Sequence, residues 1–249
     1  MPSTTPLAEW EQVLSAAAHL QRILPDAVLA GGTAAALHAG HRLSTDADHV
    51  LGDLRGRFDA VLGELESVAG WTTARIARPV LILGSLDGIE TGVRQLIRQT
   101  PLETEQVNVT GGTVTVPTVA EILRIKGVLI LKRNATRDYL DFVALAEHMG
   151  TDAVAEALRS FDALYPQPNG ESALQQLQIQ LGNPMPYDLE DTNLAEYKNL
   201  AVRWHDWNAV KAVAAQCATT IFDRITGVGD DPTPSQPQAR SRPPEGSKP

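Results

Sequence analysis

The sequence predicts an α+β fold: a mixed sheet with flanking helices, followed by an all-helical C-terminal region. Three observations carry this. Alternating strand-like runs and turn signals occur before Thr118, and helical spacing runs on from it. Of the 249 residues, 43% are hydrophobic, enough for a sizeable core in one domain or two packed ones.

The elements follow in order. Leu7, Trp10, Val13, Leu14, Ala17, Leu20 and Leu24 recur at helical spacing between Pro6 and Pro25. Residues 27–30 form a short apolar run before two glycines, as a strand would. Residues 33–39 are expected to be a short helix that Gly40 stops. Residues 41–45 are a loop, and residues 46–51 alternate polar with apolar. Leu54, Phe58, Val61, Leu62 and Leu65 mark the next helix. Strand-like runs at 72–76, 80–83 and 92–97 precede a hairpin over 107–116 that turns at Gly111-Gly112. Thr118 and Glu121 form a capping-box pattern. Helices are then expected near 138–148, 152–164, 171–181 and 192–223.

Six of the 16 prolines lie between Pro232 and Pro249, among Ser, Gln and Gly. Such a stretch buries too little apolar surface to offset its ordering entropy. The expected division is a core domain at 1–117, a helical domain at 118–227 and a disordered tail at 228–249.

Bulk properties narrow the function. No apolar run approaches the roughly 20 residues that span a bilayer, so no membrane role is expected. The start lacks the basic and apolar stretches of a signal peptide, and a cytoplasmic address is expected. Cys217 is the one cysteine, which excludes an internal disulfide and a multi-cysteine zinc site. The net charge of -9 argues against broad electrostatic binding of nucleic acid. An acidic enzyme can still act on RNA if its basic residues are gathered in one place.

The chemistry concentrates in residues 31–48, GGTAAALHAGHRLSTDAD. Glycines let the backbone approach a ligand, and the first turn of a helix presents N–H groups without intrahelical partners. Together they make an anion site suited to a triphosphate. Asp46 and Asp48, two apart on a strand, point to the same face. Adjacent carboxylates repel each other and call for a cation. Magnesium is the natural one, because it takes carboxylates together with substrate phosphates. A double glycine alone is usually a turn, and D-x-D alone is usually a solvated strand edge. Their order and spacing here make the pair far more specific.

This pattern resembles the first motif of the nucleotidyltransferase superfamily, where G-G or G-S is followed by D-x-D. The form with G-G-T, an Ala-rich helix and T-D-x-D looks most like the nucleotidyltransferase-type toxins of type IV toxin–antitoxin and abortive-infection systems. Residues 121–150, EILRIKGVLILKRNATRDYLDFVALAEHMG, are similar to their later motif, a helical lysine followed by R-D-x-x-D. The resemblance covers residues 29–150 and implies a nucleotidyltransferase-like mixed sheet for the first domain. It implies that Gly31, Gly32 and Thr33 touch the triphosphate, that Asp46 and Asp48 ligate Mg2+ or Mn2+, and that Lys126 neutralises phosphate; Ser44, two residues before Asp46, is by its position a further candidate to contact phosphate. Asp138 would orient groups at the nucleotide. Asp141, one helical turn on, ranks second to it. The family commonly has a third carboxylate on a later strand. The matching residues 92–96 offer Arg94 and Gln95 instead, leaving Asp87 or Glu90 as substitutes.

Other groups have plainer explanations. Arg124, Lys126, Lys132, Arg133 and Arg137 are five cations within 14 residues, either a solvated helix end or a phosphate-binding patch. His38 and His41 suit a helix end better than a metal. Trp204, His205 and Trp207 suit a core better than a base-stacking surface. G-x-S-x-G and Walker patterns are absent from the sequence.

The expected activity is transfer of a nucleoside monophosphate from an NTP to an acceptor. By resemblance the acceptor is RNA, at the 3′ end of tRNA, with a toxic outcome and a cognate antitoxin as partner. One alternative keeps the chemistry and takes an aminoglycoside-type small molecule. A second is a degenerate fold that binds nucleotide or a partner protein without turnover.

Overall fold

A computed structural model describes residues 6–226. The expected tail at 228–249 lies outside the described residues. Helix α1 (Pro6–Ile23) leads through β1 (Val28–Leu29) into α2 (Gly31–Ala39), β2 (Asp46–Leu51) and α3 (Leu54–Glu66). Then come β3 (Trp71–Ala77), β4 (Leu81–Leu86), β5 (Ile89–Gln95) and the hairpin β6 (Thr104–Val109) with β7 (Gly112–Pro117). The remainder is helical: α4 (Val119–Arg133), α5 (Thr136–Met149), α6 (Thr151–Ala157), α7 (Phe161–Leu164), α8 (Ala173–Gly182) and α9 (Trp207–Thr226). The expected α+β architecture, a mixed sheet with flanking helices followed by a helical C-terminal region, is observed.

The main sheet has the order β1-β2-β5-β4-β3. β2 and β5 run parallel, and the other neighbours are antiparallel. One face of this sheet is dry. Leu20 and Leu24 of α1 and the stripe Leu54, Phe58, Val61, Leu62 and Leu65 of α3 pack there against Leu51, Ile82, Leu86 and Val93. Each such side chain contributes about 1.5–3 kcal/mol on burial. Alternation along β2 then turns Asp46, Asp48 and Val50 to the opposite face, where a cavity lies. Helix α4 borders that cavity with Ile125, Lys126, Val128 and Leu129. Its start is capped by the Thr118 hydroxyl, which accepts from the Glu121 N–H at 3.2 Å.

Two local expectations change. Helix α2 begins at Gly31, so both glycines belong to its first turn instead of preceding it. Gly40 stops it in the left-handed conformation, φ 60°. The helix expected over 192–223 starts only at Trp207. Residues 183–206 are irregular, with short 3₁₀ turns at Leu194–Glu196 and Val202–His205. Pro184 and Pro186 interrupt helical hydrogen bonding there, and Lys198 and Asn199 adopt φ 45° and 51°.

Candidate active site

Asp46 and Asp48 sit side by side on one face of β2, as their spacing requires. Their surroundings differ. Burial opposes ionisation of Asp46, but the Ser44 hydroxyl, which donates to Oδ1 at 2.8 Å, and the charges of Lys198 and Arg42 outweigh it. The Asp46 carboxyl is therefore held below its usual range. Burial pushes the Asp48 carboxyl up; Arg94 works against that, and the charge of Asp46 adds to it. Among the described residues no cluster of three or more His, Cys, Asp or Glu side chains is poised to hold a metal ion. Asp46 and Asp48 would have to share a cation with substrate oxygens and water. That is how magnesium binds at phosphoryl-transfer sites.

Helix α2 starts against this pair. The Ala30 N–H donates to the Asp48 carbonyl at 2.8 Å, and the Thr33 hydroxyl donates to the Asp46 carbonyl. Gly31 takes φ 69°, a conformation that favours glycine. Gly31, Gly32 and Ser44 line the cavity, while Thr33 is buried with its hydroxyl engaged. Gly32 also answers a packing need: a Cβ there would stand 2.3 Å from Arg42 Nη2. Gly32→Ala is expected to destabilise by about 1–3 kcal/mol, as overpacking does. A melting temperature equal to wild type would contradict it.

Arg42 is pinned because it belongs to a buried ion network. Its Nε and Nη2 donate to the two oxygens of Asp141 at 2.7 and 3.0 Å, a bidentate pair. His41 Nε2 lies 2.8 Å from Asp141 Oδ1, and Lys126 Nζ lies 2.7 Å from Oδ2. Burial disfavours the Asp141 charge, but Lys126, Arg42 and His41 together hold its carboxyl well below the usual carboxylate range. Asp138, also buried, accepts from Arg133 Nη2 at 2.7 Å and lies 3.8 Å from Lys126. The geometry distinguishes the two acids. Asp141 makes the close contact with Lys126 and borders the cavity, because the 41–42 loop brings its partners there.

The five-cation run does not form one patch. Lys126, Arg133 and Arg137 border the cavity, Arg124 turns to Glu103 at 2.7 Å, and Lys132 is exposed. His38 Nε2 lies 2.8 Å from the Pro117 carbonyl, and Trp204 is buried in the helical core. Neither offers a ligand position.

The register of β2 with β5 settles where the remaining acids stand. Glu90 pairs with Asp46, and Gly92 with Asp48. Glu90 therefore lies on the strand, beside Asp46 and bordering the same cavity. Asp87 lies in the β4–β5 turn and bonds His19 at 2.8 Å. Arg94 Nε approaches Asp48 Oδ1 at 3.7 Å. The stretch after α8 adds two residues that the sequence did not single out. The Tyr197 ring lies 5.9 Å from the Arg42 guanidinium, and Lys198 Nζ is 3.6 Å from Asp46 Oδ1.

All this surrounds one cavity of about 860 Å³. Eight Lys and Arg side chains border it against four Asp and Glu. On a chain of net charge -9, basic charge is gathered here.

No known family model matches the sequence. A stretch of 97 residues is 39% identical to the heme uptake protein MmpL11 of Mycobacterium tuberculosis, covering 38% of this chain and 10% of that protein. The match thus spans about a tenth of the length of that curated relative. Among the described residues no helix is long and apolar enough to cross a membrane. Among solved structures, the antibiotic-resistance factor ANT(2'')-Ia aligns with 62% of this chain and 91% of its own, at 13% identity and TM-score 0.45. The crystal structure of JHP933 from Helicobacter pylori aligns with 92% of this chain and 96% of its own, at 17% identity and TM-score 0.53. At that identity the likeness is one of fold: the chain shares the architecture of the H. pylori protein, a mixed sheet followed by helices.

Proposed function

We propose that this chain is a metal-dependent nucleotidyltransferase that moves a nucleoside monophosphate from an NTP to an RNA acceptor, the 3′ end of tRNA, and acts as a toxin held in check by a cognate antitoxin. The observation that carries this is the pairing of Asp46 and Asp48 with a glycine-started helix at a cavity of net positive lining. A polyanionic substrate suits such a cavity, whereas a cationic drug gains nothing from it.

Each side chain has a task under this reading. Gly31 and Gly32 bring the first turn of α2 close to the phosphates. Asp46 and Asp48 would hold Mg2+ or Mn2+, which when bound neutralises phosphate charge. Lys126, fixed by Asp141, adds a preorganised positive charge that needs no reorientation during reaction. Glu90, which pairs with Asp46 and borders the cavity, would under this reading accept the proton of an attacking hydroxyl. The three-part division at 1–117, 118–227 and 228–249 accompanies this reading, with the site between the first two parts.

The test is direct. Incubate the protein with Mg2+, total RNA and each labelled NTP in turn, and repeat with aminoglycosides in place of RNA. Labelled tRNA is the expected result. Labelled aminoglycoside without labelled RNA would replace the acceptor. Nucleotide binding without transfer to either would leave a binding protein.

A further inference from the structure

Lys198 reaches the acid pair from far along the chain. Its ammonium stands 3.6 Å from Asp46 Oδ1 and 3.3 Å from the Thr45 hydroxyl. Nothing local explains this placement. Lys198 and Asn199 are consecutive non-glycine residues in the left-handed region, at φ 45° and 51°. Asparagine tolerates that region, but lysine seldom enters it. Backbone bonds hold the conformation: Leu43 N–H to the Lys198 carbonyl at 2.9 Å, and Ala201 N–H to the His41 carbonyl at 2.7 Å. The segment is thus stitched to the loop that leads into Asp46. Backbone held in a sparsely populated conformation by its surroundings is a mark of functional positions. The side chain is a third exposed, borders the cavity, and carries its ammonium on a flexible stem.

We propose that Lys198 is the counter-ion of Asp46 before substrate arrives and a phosphate ligand of the NTP once a metal ion has taken its place. A divalent cation at Asp46 and Asp48 repels an ammonium 3.6 Å from the same carboxylate. The freed ammonium remains tethered at the cavity wall, where the triphosphate brings negative charge. Metal and nucleotide binding are thereby coupled through one side chain, with opposite signs for the metal alone and for the nucleotide complex. This inference rests on the nucleotidyltransferase reading.

The test uses the full chain and two probes: Mn2+ alone, and a non-hydrolysable NTP at saturating Mn2+. Lys198→Met keeps the stem and removes the charge. It is expected to bind Mn2+ alone about two- to fivefold more tightly, the scale of a partly exposed ion pair. It is expected to bind the analogue about tenfold or more weakly, the scale of a hydrogen bond to a charged group. Lys198→Arg should return both affinities toward wild type. A loop that merely loosened would weaken both, so shifts in the same direction overturn the proposal. So does a Lys198→Met protein equal to wild type in both titrations while wild type binds both probes; the functional reading then stands. Wild-type protein that binds neither probe overturns the functional reading and this inference together.

Discussion

Asp46→Asn and Asp48→Asn are each expected to reduce nucleotidyl transfer by roughly a thousandfold, which corresponds to about 4 kcal/mol of transition-state stabilisation. The two carboxylates lie on one strand face at the mouth of the basic cavity, and each substitution removes one oxygen ligand while keeping the shape. Stability should respond differently. Burial already disfavours the Asp48 charge, with Asp46 beside it making matters worse. Asp48→Asn should therefore melt at or above the wild-type temperature. Its carboxyl lies above the usual range, so its ionisation opposes folding as pH rises through that value, and the asparagine variant lacks this penalty. Asp46→Asn should lose a little stability, since Asp46 lies below the usual range. Rates within threefold of wild type for both variants would remove the pair from the site.

Asp141→Ala is expected to cost about 3–5 kcal/mol of stability, the scale for breaking a buried ion pair by removing one partner. Lys126, Arg42 and His41 all converge on this carboxylate, and the side chains of Lys126 and Arg42 are only 2% and 4% exposed. Alanine would strip Arg42 of its bidentate partner and leave Lys126 only the longer 3.8 Å contact with Asp138. For a chain of this size that amounts to a fall of roughly 6–20 °C in melting temperature. The surface pair Arg203–Glu147, with side chains 56% and 42% exposed, is the control. Glu147→Ala should cost no more than about 1 kcal/mol. The pH dependence has a definite sign. The Asp141 carboxyl is depressed in the folded protein, so its contribution is present above the unfolded value of about 3.9 and is lost as pH falls toward the folded one. Wild type should therefore lose stability below about pH 4 more steeply than Asp141→Asn. Equal melting of Asp141→Ala and Glu147→Ala would contradict the network's role.

Residues 31–48 were readable from the sequence because their physics is local. A short helix stopped by Gly40 and a strand with acids two apart follow from φ preferences and from the period of two, although the two glycines fall inside the helix's first turn. The hairpin, which turns at Thr110-Gly111, one residue before the expected Gly111-Gly112, and the capping by Thr118 are of the same kind. Asp138 and Asp141 were legible as sharing a helix face, but not which of them Lys126 would grip. That choice depended on the 41–42 loop, which lies 99 and 100 residues from Asp141 in its contacts. Glu90 and Asp87 were equal candidates until the parallel register of β2 with β5 set one beside Asp46 and the other at the far turn. Lys198 was hidden altogether. Helical periodicity was expected to run through its position, and its contact with Thr45 spans 153 residues. Local sequence reports propensity within a few turns of chain. Contacts between distant segments depend on how the helical half closes over the sheet, and only the packed structure holds that information.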